Sequence, residues 1–155
     1  MNNRHKKSHK SNKSSPIQIK NLETMINFRI TFPETFIPNQ QIASVDIPFE
    51  GINRTIENGT TIVNVLIKNK YINKAINFLE SINVTSFIYE QVAVVQFNGK
   101  PDNKTFFDLI ICLAGKGFKP KFTYVAYDNK YVISPLNVPL KTLLDLLYNC
   151  VINDC

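Results

Sequence analysis

TTIVNVLIKNKYINKAINFLESINVTSFIYEQVAVVQF, residues 60–97, is the stretch that decides the fold. Its hydrophobic period changes twice. Thr61 to Lys68 is rich in β-branched residues and reads as a strand, broken by Asn69-Lys70. From Tyr71 to Ile82 the spacing becomes helical: Ile72, Ala75, Ile76, Leu79 and Ile82 form one apolar stripe, with Asn73, Lys74, Asn77 and Glu80 on the opposite side. Thr85 to Phe97 returns to β-formers, with an interruption at Glu90-Gln91. A strand, a helix and a second strand therefore follow one another.

The pattern repeats downstream. Asn98-Gly99-Lys100-Pro101-Asp102 is a turn that supplies an N-cap, and Thr105 with Asp108 three residues later supports helix initiation. That helix runs to about Ala114, where Gly115-Lys116-Gly117 stops it. Phe106, Phe107, Leu109, Ile110, Ile111 and Leu113 surround much of its circumference, so extensive burial is expected. Lys121 to Tyr127 and Lys130 to Ser134 read as a hairpin about Asp128-Asn129. Pro139 opens a last helix whose stripe of Leu140, Leu143, Leu144, Leu147 and Val151 serves either as core cover or as a partner face.

Upstream, Met25 to Phe32 alternates as a strand closed by Pro33, and Ile42 to Phe49 is a second strand candidate ended by Glu50-Gly51. The expected organisation is a disordered basic arm over residues 1–16, a strand-rich extension over 17–59, and an α/β core with an added C-terminal helix over 60–155. The fold class is α+β. The core order is strand, helix, strand, helix, strand, strand.

The net charge of +6 resides in the first twenty residues: Arg4, Lys6, Lys7, Lys10, Lys13 and Lys20 face no acid there, while the remaining residues balance. Within the body, residues 22–67 are acidic and residues 68–121 carry eight lysines against four acids. His5 and His9 are the only histidines, so a folded site has no histidine base and Ser/His/Asp or Cys/His catalysis is excluded. The acids are scattered singly. No enzyme, no metal and no cofactor is expected. Cys112, Cys150 and Cys155 are odd in number and lack framework spacing, with the last two reading as incidental; this suits an intracellular, reducing compartment, cytoplasm or nucleus, with an organelle left open. Four Asn-X-Ser/Thr sequons, at Asn53, Asn58, Asn83 and Asn103, follow no apolar signal segment, and no stretch reads as a membrane span.

Two basic clusters stand at the predicted helix starts: Lys68, Lys70 and Lys74 at the first, and Gly99, Lys100, Asn103 and Lys104 at the second. Adjacent parallel strands would bring both starts to one sheet end, where helix N-termini and lysines hold phosphates without reading sequence. Gly99-Lys100-Pro101-Asp102-Asn103-Lys104 resembles the Gly-Arg-Ala-Ile-Asn/Ser-Lys turn of the Alba superfamily, and Lys68-Asn69-Lys70 with Asn73 resembles its earlier Lys-Gly-Lys loop. Lys100 replaces the usual Arg, and Pro101-Asp102 replaces a small-apolar pair. The resemblance covers residues 61–134 and implies a non-enzymatic DNA- or RNA-binding protein. Arg4, Lys6, Lys7, Lys10 and Lys13 of the arm would add backbone contacts. Tyr124, Tyr127 and Tyr131 read as hairpin packing rather than as a base-stacking site. Two other classes fit the same chain: a structural subunit of a ribosome or other ribonucleoprotein, and a small-ligand regulatory module of ferredoxin-like type with the ligand between protomers. A homodimer is compatible with each.

Overall fold

Ile26, Phe28, Ile30 and Phe32 do share one face of a strand, and that strand, β1 (Ile19–Pro33), is the centre of the sheet. The computed structural model describes residues 18–33, 45–119, 121–134 and 136–152. The arm with its two histidines, the start of the second strand candidate, and Cys155 lie outside the described residues. After β1 come β2 (Gly51–Glu57), β3 (Thr60–Ile67), a single 3-10 turn, α1 (Ile72–Ser81), β4 (Phe87–Phe97), α2 (Asn103–Gly115), β5 (Lys121–Ala126), β6 (Lys130–Ser134) and α3 (Leu140–Ile152).

The six strands form one sheet in the order β2-β3-β1-β4-β6-β5, and every neighbouring pair is antiparallel. The α+β class and the order of elements from β3 onward are as expected. The adjacency of β3 and β4 is not, because β1 runs between them and pairs with both. The strand expected at residues 42–49 is also displaced. Residues 45–50 are irregular, and β2 begins at Gly51 and turns into β3 through Asn58 (φ 50°) and Gly59 (φ 78°). An Asn-Gly pair is the residue choice that a two-residue hairpin with positive φ demands. Asp128 and Asn129, both at φ 58°, close the β5–β6 hairpin in the same way.

One face of the sheet is covered by helices. Ala75 and Leu79 of α1 pack on Phe28, Ile30, Val63 and Val65. Leu109 and Leu113 of α2, with Leu143 and Leu147 of α3, pack on Ala93, Val95, Tyr131 and Ile133. The leucine stripe of α3 is thus core cover. Helix α2 is less buried than its composition suggested: Leu109 and Leu113 are inside, but Phe107 is 60% and Ile111 55% exposed, because only one side of the helix meets the sheet. Cys112 of α2 and Cys150 of α3 are joined by a disulfide with a Cα–Cα distance of 5.7 Å. Cys150 is therefore not incidental, and the bridge removes the cysteine argument for a reducing compartment.

Among the described residues no helix covers the opposite face. The sheet covers itself by curling until its two edges meet: Tyr127 N–H of the β5–β6 turn donates to the Glu50 carbonyl (3.0 Å), and Lys130 pairs with the Glu50 carboxylate. Met25, Leu66, Val92, Val94, Tyr124, Ala126 and Val132 fill the inside of the curl. Gly51 is where the edges touch, since a Cβ there would lie 2.5 Å from Ala126 Cβ.

Two stability measurements check this packing. Gly51→Ala is expected to lower the urea-unfolding free energy by about 1–3 kcal/mol through overpacking against Ala126, whereas Gly99→Ala, with open space around the added methyl, should stay within about 0.5 kcal/mol of wild type. Reducing the 38-residue Cys112–Cys150 loop, or substituting Cys150→Ser, should cost about 2–4 kcal/mol in the same assay. An unchanged unfolding midpoint under reductant would remove the bridge from the fold's support.

Candidate functional site

The lysines singled out in the sequence are dispersed. Lys68 pairs with Glu23 (3.5 Å) and Lys74 with Asp46 (3.5 Å), Lys70 lies over its neighbour Tyr71 (5.2 Å to the ring centroid), and Lys104 pairs with Asp108 (3.0 Å) one helical turn on. Lys100 and Asn103 are exposed. Strand β3 ends opposite Ile26 and β4 ends opposite Ile19, so the two strand ends that lead into the helices are offset by roughly 20 Å along the sheet with β1 between them. They share an end of the sheet without forming a common cradle. Gly99 adopts no positive φ and makes no close approach, so neither backbone freedom nor space requires a glycine there. The turn does provide the expected helix cap: Asp102 accepts from Thr105 N–H (2.7 Å), and the hydrogen bonds from Thr105 hold its carboxyl below the usual carboxylate range.

The curl holds the most organised polar group among the described residues. Tyr124 O–H donates to Asn27 Oδ1 (2.7 Å), and Asn27 Nδ2 donates to Asn64 Oδ1 (3.0 Å); all three side chains are buried. Arg29 and Asn64 are direct cross-strand partners, as are Asn27 and Glu90, and Ser134 donates to Glu90 (3.0 Å). A polar seam thus runs from the buried amides to an exposed arginine and glutamate. The sequence carried a signal for it. Asn27 stands between Ile26 and Phe28 and Asn64 between Val63 and Val65, lone amides in apolar strands. Burial pushes the Tyr124 phenol well above its ordinary value.

A second feature is apolar. Residues 45–49 lie against α1 and the sheet over a small cavity of about 30 Å³, lined by Phe28, Ile30, Ile47, Phe49, Phe78 and Leu79 among others. With no polar group in its lining it belongs to the core. Among the described residues no group of three His, Cys, Asp or Glu is placed to hold a metal ion. No helix of the described residues is long and apolar enough to cross a membrane.

The fold is similar to that of solved aspartate kinase regulatory domains. The regulatory subunit of aspartate kinase from Thermus thermophilus, in its ligand-free form, superposes with a TM-score of 0.66 at 12% identity, covering 88% of this chain and 99% of that one. A regulatory domain of aspartate kinase from Porphyromonas gingivalis W83, described as putative and C-terminal, gives 0.55 at 10% identity over 86% and 96%. Clostridium acetobutylicum aspartate kinase gives 0.57 at 12% identity, with 94% of this chain matching 37% of that one. No protein-family profile and no curated protein sequence matches the chain. At these identities the likeness establishes architecture alone: an antiparallel sheet with a few helices.

The resemblance to the Alba superfamily, and with it the DNA- and RNA-binding reading, is corrected by this likeness. The physical reason is visible in the register. Short Gly/Lys/Asn motifs matched in sequence, but the motif helices follow strands separated by an antiparallel neighbour, and three of the lysines are engaged by nearby acids.

Tyr124→Phe tests the buried seam. It removes the donor to Asn27, leaving a buried acceptor unsatisfied, and is expected to cost about 1–3 kcal/mol in urea unfolding. The sign of its pH dependence follows from the raised phenol: unfolding releases the Tyr124 proton once the pH passes the ordinary value of 10.0, so stability falls as pH rises beyond that point. Melting curves of the Phe variant should fall less steeply there, and parallel slopes would contradict the burial of this group.

Proposed function

We propose that this chain is a small-ligand regulatory module, non-catalytic itself, that binds its ligand between protomers and acts through a protein partner. The observation carrying the reading is the likeness to the T. thermophilus regulatory subunit over nearly the whole of both chains. Supporting it are a body whose charges balance once the first twenty residues are set aside, and a folded part without histidine. One of the matched proteins is described as an allosteric enzyme for amino acid production, and another match comprises aspartokinase alpha and beta subunits. Amino acids, aspartate and its derivatives first, are therefore the ligands to try.

A ligand that binds only the folded state raises stability by about 2.7 kcal/mol at a hundredfold excess over its dissociation constant. Thermal unfolding of the full chain with each common amino acid in turn is expected to show a saturable rise in Tm for one or a few of them. A flat response across the set, repeated by calorimetry, would overturn the small-ligand reading.

A further inference from the structure

The curl of the sheet is filled with apolar side chains at its middle and turns polar toward one end. Two cross-strand rows mark that end on the inner face. In the deeper row Gly51, Leu66, Asn27 and Glu90 follow one another across β2, β3, β1 and β4; in the outer row stand Asn53, Asn64, Arg29 and Ile88. The buried Tyr124–Asn27–Asn64 chain floors this mouth, whereas Arg29 and Glu90 at its rim are exposed. The floor is incompletely paired. Asn64 is only 9% exposed, yet among the described residues one end alone of its side-chain amide is hydrogen-bonded: Oδ1 accepts from Asn27 in the deeper row, which leaves Nδ2 on the rim side with no acceptor. Leaving a buried amide donor unserved is costly, so such a group in a folded protein calls for a partner from outside the chain.

We infer that this mouth is a binding site, within a single chain, for a small elongated zwitterion of the ω-amino carboxylate class. The carboxylate takes the Asn64 amide and the Arg29 guanidinium, donors on residues directly opposite each other across β3 and β1. Arg29 is available for it. Its pairing with Glu57 spans 3.9 Å between side chains that are each about half exposed, a loose contact that a ligand carboxylate displaces at little cost. The cationic group goes to Glu90, which has one oxygen engaged by Ser134 O–H (3.0 Å). The separation of these two charges sets the length of the ligand. Arg29 and Glu90 are diagonal neighbours on adjacent strands, roughly 7–8 Å apart at the backbone. They do not pair with each other: Arg29 reaches toward Glu57 of β2, and Glu90 toward Ser134 of β6. A carboxylate and an ammonium several bonds apart meet both, with the methylenes between them against Ile88, which is 65% exposed. Glu90 opposes a second carboxylate and Arg29 opposes a second amine, so dicarboxylates and diamines are rejected. The mouth of a closed or nearly closed sheet is a recurrent place for small-ligand sites.

The site lies inside one chain, so it is separate from a ligand position between protomers, and its ligand class is separate from the α-amino acids. Amide NMR of the isotope-labelled full chain reads it directly through the side-chain N–H signals of Asn64, titrated in turn with γ-aminobutyrate, butyrate, butylamine and glutarate. Saturable movement is expected with γ-aminobutyrate. Butyrate, which lacks the contact with Glu90, should bind roughly tenfold more weakly, and butylamine and glutarate should leave the signals in place. Arg29→Gln changes an exposed side chain and should weaken γ-aminobutyrate roughly tenfold or more, and Glu90→Gln should erase its margin over butyrate. Lys100→Gln, beyond the other end of β4, should change nothing. Asn64 signals indifferent to γ-aminobutyrate, glutarate binding as tightly, or Arg29→Gln binding like wild type would each overturn the site. Binding of an α-amino acid by a chain whose Asn64 ignores γ-aminobutyrate removes this inference and leaves the regulatory reading standing; γ-aminobutyrate binding with no response to any α-amino acid does the reverse.

Discussion

The rest of the structure depends on the closure of a six-stranded sheet upon itself. Among the described residues helices cover only one face, and the other would leave Met25, Leu66, Val92, Val94 and Val132 in water. Curling brings β2 and β5 together at Gly51, where only a residue without a side chain lets Ala126 approach, and Lys130–Glu50 and Tyr127–Glu50 contacts fasten the seam. Tyr124 then reaches across the interior to Asn27. Because a buried hydroxyl or amide without a partner is costly, the Tyr124–Asn27–Asn64 chain favours one register of the curl over others of similar apolar content.

That closure also determines which surfaces remain. The helix-bearing face is occupied, the inner face is sealed, and the β2–β5 edges hold each other where they meet. The start of β4 extends past the end of β6, leaving Ile88 through Gln91 exposed. Five of the eight lysines of residues 68–121 stand at the two helix starts, and nearby acids engage Lys68, Lys74 and Lys104 there. Charge placed by local sequence and surface left by tertiary closure fall in different parts of the molecule.

Local periodicity made much of this legible. The β3–α1–β4 stretch, the Asp102 cap of α2, the Asp128-Asn129 hairpin and the stripe of α3 are each encoded within a few residues, and each forms near its expected limits. The features that escaped are long-range. Nothing within residues 60–97 says that β1 slots between β3 and β4, and that single insertion separates the two lysine clusters. Strand β2 was obscured because most of its side chains are exposed and alternate weakly, although Asn58-Gly59 marked its turn. The Cys112–Cys150 bridge joins two helices through cysteines 38 residues apart and leaves no spacing signature. The buried amides were visible as lone polar residues in apolar strands, but their meaning required knowing that those strands are neighbours.

Isotope-labelled full-length chain, followed by amide NMR during parallel titrations with aspartate-family amino acids and with a short RNA, sets the regulatory reading most directly against the one it replaced. Saturable shifts among residues 18–152 with an amino acid, and RNA effects confined to the arm, are the expected result. Saturable RNA-induced shifts at Lys68, Lys70, Lys100 and Lys104, with no response to any amino acid, would contradict it.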